Sequence, residues 1–107
     1  MAVKVLVERT AQKGAEEVLP SLLRQLRGEA MHQPGYMYGE TLRMVRGNRR
    51  TFLVISTWSR LEHWEAWEQD PFRCKMEVKL DSIVQGKAKV RVFEEYVESL
   101  DGPKPLR

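Results

Sequence analysis

The stretch Thr51-Phe-Leu-Val-Ile-Ser-Thr-Trp58, running straight into Ser59-Arg-Leu-Glu-His-Trp64-Glu-Ala-Trp67, decides the fold of this chain. Thr51, Leu53 and Ile55 alternate with Phe52, Val54 and Ser56, so a strand here has two largely apolar faces and is covered on both sides. The strand ends on a tryptophan and a polar turn follows. Leu61 to Gln69 then reads as a short helix, with Trp64 and Trp67 three residues apart on one face. Large aromatic side chains at such a corner line either the core or a pocket.

Upstream, Tyr36 to Val45 reads as the strand that pairs with Thr51–Trp58, with Gly47-Asn48 in the turn of the hairpin. Ala2 to Arg9 is another strand, with Val3, Val5 and Val7 on one face and Leu6 on the other. Between them, Ala15, Val18, Leu19, Leu22, Leu26 and Ala30 recur at helical spacing. Pro20 inside that pattern predicts a kink near Glu16 to Pro20, or a helix beginning at Pro20. Pro34-Gly35 ends the element. Downstream, Pro71 suits the first turn of a helix whose buried stripe is Phe72, Met76, Leu80 and Ile83, with Gly86 as its stop. Lys87 to Val97 is a last strand. Residues 1–98 form the domain and 99–107 a tail.

The element order is β-α-β-β-α-β, the split βαβ or ferredoxin-like arrangement of the α+β class, with an antiparallel sheet. Its central strands are the first and third, the two that are apolar on both faces. Helices cover one face only, so the other calls for a second copy of the chain, packed sheet against sheet as a homodimer.

Composition narrows the function. The chain has 107 residues, enough for one domain with a core of its own. A single cysteine, Cys74, rules out an internal disulfide and suits a reducing cytoplasm. No apolar run reaches membrane-spanning length. Eighteen basic against fifteen acidic residues give a net charge of +3, spread along the chain. The cluster Arg46-Gly-Asn-Arg-Arg50 reads as a solvated hairpin tip, since the aromatic and basic interleaving of a nucleic-acid surface is missing. Neither His32 nor His63 has further ligands at metal-binding spacing, so no metal site is expected.

Pro34-Gly35-Tyr36, the strand closing on Trp58, and Glu62-His-Trp-Glu-Ala-Trp67 followed by Pro71-Phe-Arg73 together resemble the antibiotic biosynthesis monooxygenase family of dimeric α+β barrels. The likeness spans roughly Val3 to Tyr96 by element order. It implies a homodimer with a small pocket in each subunit, between sheet and helices. Members of that family include cofactor-free oxygenases of aromatic polyketides, quinol oxygenases and haem-degrading enzymes. Trp67 matches the family's pocket tryptophan. In the haem-degrading branch it accompanies an asparagine on the first strand and an iron-ligating histidine on the following helix. Glu8 falls at the first of these positions, and Met76 or Glu77 at the second, which argues against haem degradation.

The cofactor-free branch is the remaining match, with no cofactor expected and a small phenolic, quinol or polyketide-like aromatic as substrate. Such an enzyme removes a proton from its substrate and supports the resulting anion. Glu8, His63, Tyr38 and Arg43 are the candidate catalytic residues, and Trp67, Phe72 and Met76 the candidate pocket walls. Each has a plainer alternative. Glu8 is suited to a surface ion pair with Arg9, Arg43 or Arg91, His63 to a partly exposed helix position, and the tryptophans to core packing. The alternative to an enzyme is a dimeric binding module for a small hydrophobic ligand.

Overall fold

The computed structural model describes residues 1–96. In chain order the elements are β1 (Val3–Thr10), α1 (Val18–Ala30), β2 (Tyr36–Arg43), β3 (Thr51–Trp58), α2 (Leu61–Glu68), α3 (Pro71–Asp81) and β4 (Lys89–Glu94). They form an antiparallel sheet of order β2-β3-β1-β4 with three helices, the ferredoxin-like α+β fold. As expected, β1 and β3 are the central strands. The last residues assigned to the final strand and domain, Val97 and Glu98, and the tail 99–107 lie outside the described residues.

Pairing of β1 with β3 sets Val3 opposite Trp58, Val5 opposite Ser56, Val7 opposite Val54 and Arg9 opposite Phe52. These residues share one face, because side chains alternate along a strand. The helices pack on that face. Lys4, Leu6 and Glu8, opposite Thr57, Ile55 and Leu53, occupy the other face, which no helix of the described residues covers.

Two buried clusters fill the helical side. Val3, Val5, Val7, Ala30, Trp58, Trp64 and Trp67 form one, and Ala11, Leu19, Leu23, Phe52, Leu80 and Val84 the other. Burying a side chain of this size stabilises the fold by about 1.5–3 kcal/mol. Pro20 causes neither of the outcomes its position suggested. Helix α1 begins at Val18, so the proline sits in the first turn, where no intrahelical donor is lost.

Helix α3 departs from the expected stripe. Asp70 caps it, accepting from the backbone N–H groups of Phe72 (2.9 Å) and Arg73 (3.4 Å), and Pro71 occupies the first turn. This start sets the phase of the helix. Arg73, Met76 and Leu80 turn inward, whereas Phe72 is more than one-third exposed. Phe72 is thus not part of the buried stripe; an arginine takes its place.

Candidate active site between sheet and helices

The corner read first from the sequence is the wall of a cavity. Trp58 is fully buried. Tyr36 meets it edge-on with ring centroids 5.3 Å apart, and Trp64 does so at 6.0 Å. Trp67 lies nearly parallel to it at 6.5 Å. Such pairs add about 0.5–1.5 kcal/mol each beyond the area they bury. The Trp58 indole N–H donates to Ser56 Oγ at 3.0 Å, so this buried donor is satisfied.

The cavity draws on every layer of the helical side. Val7 and Arg9 reach it from β1, Val54, Ser56 and Trp58 from β3, and Tyr36 from the start of β2. Leu23, Leu26, Arg27 and Ala30 close it from α1, Trp64 and Trp67 from α2, and Arg73 from α3. Its free space is about 40 Å³. That admits a hydroxyl or carboxylate group, and a ring enters only as side chains part.

Beside the aromatic wall stands an ionic triad of two buried arginines and a half-buried glutamate. The Arg9 guanidinium donates to both carboxylate oxygens of Glu77, at 3.0 and 2.8 Å. Arg73 Nη2 makes an ion pair with one of the same oxygens, Oε2, at 2.9 Å. The Arg73 guanidinium also lies 4.7 Å from the centre of the Trp64 ring, a cation–π contact. Burial lowers the Arg73 pKa from its ordinary value, partly opposed by the neighbouring Glu77 carboxylate and reinforced by Arg9. An arginine keeps its proton despite such a shift.

The proposed site residues fall in several places. Trp67 lines the cavity. Met76 is buried but does not line it, and Phe72 lies outside. Glu8 is on the opposite face of the sheet, 4.0 Å from Lys89 rather than paired with an arginine. It shares a shallow groove there with Arg43, Leu42 and Leu53. Tyr38 is on that face too, with Lys4 Nζ donating to its hydroxyl at 2.8 Å. That hydrogen bond is the first cause lowering the Tyr38 pKa from 10.0, followed by a hydrogen bond to Thr57 and the charge of Lys4. His63 sits in the first turn of α2, its Nδ1 hydrogen-bonded to Ser59 Oγ at 2.9 Å.

Gly35 explains the position of His63. Its φ is +82°, and a Cβ there would collide with the His63 imidazole. The Gly35 carbonyl accepts from Ser59 N–H at 2.7 Å, tying the start of β2 to the end of β3. The Pro34-Gly35-Tyr36 motif therefore serves a tight backbone approach beside the cavity.

Glu8, Tyr38 and His63 do not converge on one cavity. The residues that do, besides Trp67, are Arg9, Arg73, Tyr36, Trp58 and Trp64, with Glu77 behind the arginines. Among the described residues no group of three or more His, Cys, Asp or Glu side chains is assembled, and no helix is long and apolar enough to cross a membrane.

A ferredoxin-like domain with an aromatic cavity under its helices defines the class of protein. The chain belongs to the antibiotic biosynthesis monooxygenase family, whose model matches residues 2–72. SnoaB from Streptomyces nogalater, a cofactor-independent oxygenase, is similar in structure. Its TM-score is 0.79 at 16% identity, over 94% of this chain and 98% of that one. Rv0793 from Mycobacterium tuberculosis is similar at a TM-score of 0.81 and 12% identity, over 92% and 99% of the two chains. A conserved protein from Methanosarcina mazei Go1 reaches 0.82 at 8% identity, over 90% and 94%. Identities this low establish a common fold and nothing finer. No curated protein matches the sequence.

Proposed function

We propose that the chain is a cofactor-independent monooxygenase that oxidises a small phenolic or quinol-like aromatic substrate with O2 in the cavity beneath the helices. One observation carries the proposal: a cavity walled by Tyr36, Trp58, Trp64 and Trp67, inside a domain of a monooxygenase family. SnoaB, a cofactor-independent oxygenase of the same fold, supports it.

The chemistry balances without an outside reductant when the substrate has an activated methylene beside a phenol. The substrate gives up a proton to solvent water as it binds, and the electron-rich anion passes one electron to O2. The substrate radical and superoxide combine into a carbon-bound peroxide, which takes up the proton. The O–O bond then breaks as the second hydrogen leaves the carbon. One oxygen stays as a carbonyl and the other departs as water with both hydrogens. The protein orients the ring, excludes bulk water and supports the anion.

The proposal extends to a homodimer closed through the uncovered sheet face. Leu6, Leu53 and Ile55 on the two central strands are apolar residues facing that side. Light scattering of the eluted peak tests it, with a dimer expected; a monomer at micromolar concentration would refute it. A cytoplasmic setting goes with the same reading, supported by the lone, exposed Cys74.

One observation favours a binding module instead: no lining residue is a carboxylate or an imidazole able to take the proton. Oxygen consumption separates the two readings. A metal- and flavin-free preparation should consume O2 with some member of a quinol and anthrone panel, and Trp67→Ala should slow it. Ligand binding with no O2 uptake across the panel would leave the binding module.

A further inference from the structure

The floor of the cavity carries a surplus of positive charge. The side chains of Arg9 and Arg73 are 3% and 8% exposed, and the two share a single carboxylate, Glu77. Two guanidiniums against one carboxylate leave one positive charge without an ion-pair partner in a poorly solvated place, offset only at longer range by the Glu68 carboxylate. Such a charge is unfavourable until an opposite charge meets it. Arg27, exposed at the end of α1, adds a third guanidinium to the lining.

The hydrogen-bond count points the same way. Nε of Arg9 and Nε of Arg73 are both buried with no partner. Buried donors are nearly always satisfied, and both atoms are closed to the free space, so an acceptor reaches them only as the side chains part, which entry of a ring also requires. A guanidinium is matched to planar oxyanions, which it binds with charge-assisted hydrogen bonds. The free space admits a group of that size.

We infer that Arg9 and Arg73 form an oxyanion seat, and that the cavity selects an aromatic ligand bearing an ionised oxygen, phenolate or carboxylate. The oxygen rests against the two guanidiniums while the ring lies along Trp58 and Trp67. Glu77 holds the arginines in place without cancelling their charge. The inference rests on the cavity being the ligand site, as proposed above, but not on any turnover there. For a phenolic substrate the seat would favour the anion over the neutral phenol, and so ease loss of the proton with no carboxylate or imidazole in the lining.

The test is a titration of 4-nitrophenol, whose neutral and ionised forms differ in colour, free and bound to the intact protein. Its pKa should fall by about one unit on binding, equivalent to roughly tenfold preference for the phenolate. Benzoate should bind about tenfold more tightly than benzamide. Arg9→Met and Arg73→Met should each lose most of both preferences, and Arg73→Lys, which keeps the charge but not the planar fork, should lose part. Equal binding of ionised and neutral forms by the wild type would overturn the oxyanion seat and leave the aromatic cavity standing. Failure of every probe to bind the wild type would overturn both. Ionised-form preference with no oxygen uptake would support the seat and count against the monooxygenase.

Discussion

Replacing Glu77 by glutamine keeps the shape of the triad and removes its only negative charge. Two guanidiniums, 3% and 8% exposed, would then face a neutral amide. Breaking a buried ion pair costs about 3–5 kcal/mol. Glu77 is 26% exposed, so water offsets part of this, and about 2–3 kcal/mol is expected. For a domain of this size each kcal/mol moves Tm by about 4–8 °C, which gives a fall of roughly 8–24 °C. Arg73→Met makes the opposite change. It removes the surplus charge and leaves Arg9 with both oxygens of Glu77. The lost cation–π contact, about 1 kcal/mol, is offset by relief of the unpaired charge, so stability should stay within about 1 kcal/mol of wild type. Urea unfolding followed by circular dichroism at one fixed protein concentration measures both. Should Arg73→Met be as destabilising as Glu77→Gln, Arg73 would not be the surplus charge, and the reasoning would fail.

Other expectations follow from separate parts of the molecule. Gly35→Ala forces a side chain into a positive φ and onto His63, so it should cost at least about 2 kcal/mol, visible as a lower urea midpoint. On the uncovered face, Tyr38 ionises below 10.0 in the folded protein, so its contribution to stability is present above 10.0 and is lost as pH falls through the lowered value. Lys4→Met removes the first cause of that shift and should move the tyrosinate absorbance midpoint of Tyr38 upward; an unchanged midpoint would contradict the Lys4 contact. Glu8→Gln, across the sheet from the cavity, should leave the affinity for benzoate unchanged, and a tenfold loss by calorimetry would place Glu8 at the ligand after all.

The fold was legible because its signals are local. Alternation in Thr51–Trp58, the hairpin linking it to β2 (its turn falls at Arg49-Arg50 rather than Gly47-Asn48) and the paired tryptophans of α2 each lie within a few residues, and together they set element order and the central strands. The site was less so. Arg9 continues the face of Val3, Val5 and Val7 by simple alternation, and that parity was enough to turn it toward the helices. The acidic residue beside it drew the functional reading instead, yet the same parity places Glu8 on the far face. Arg73 was hidden by a different effect. A buried arginine runs against the ordinary sorting of residues, and apolar spacing alone favours a stripe through Phe72. Only the Asp70 cap fixes the phase that turns Arg73 inward. The triad itself joins β1 to α3 across 68 residues, a pairing that no spacing rule within one element reveals.

The most direct test of the site is a crystal structure of the protein with 1-naphthoate, a rigid aromatic carboxylate. The carboxylate should lie within hydrogen-bonding distance of Arg9 and Arg73, with its rings against Trp58 and Trp67. Naphthoate seated on the opposite sheet face, in the groove of Glu8 and Arg43, with the tryptophan cavity closed and empty, would contradict the account.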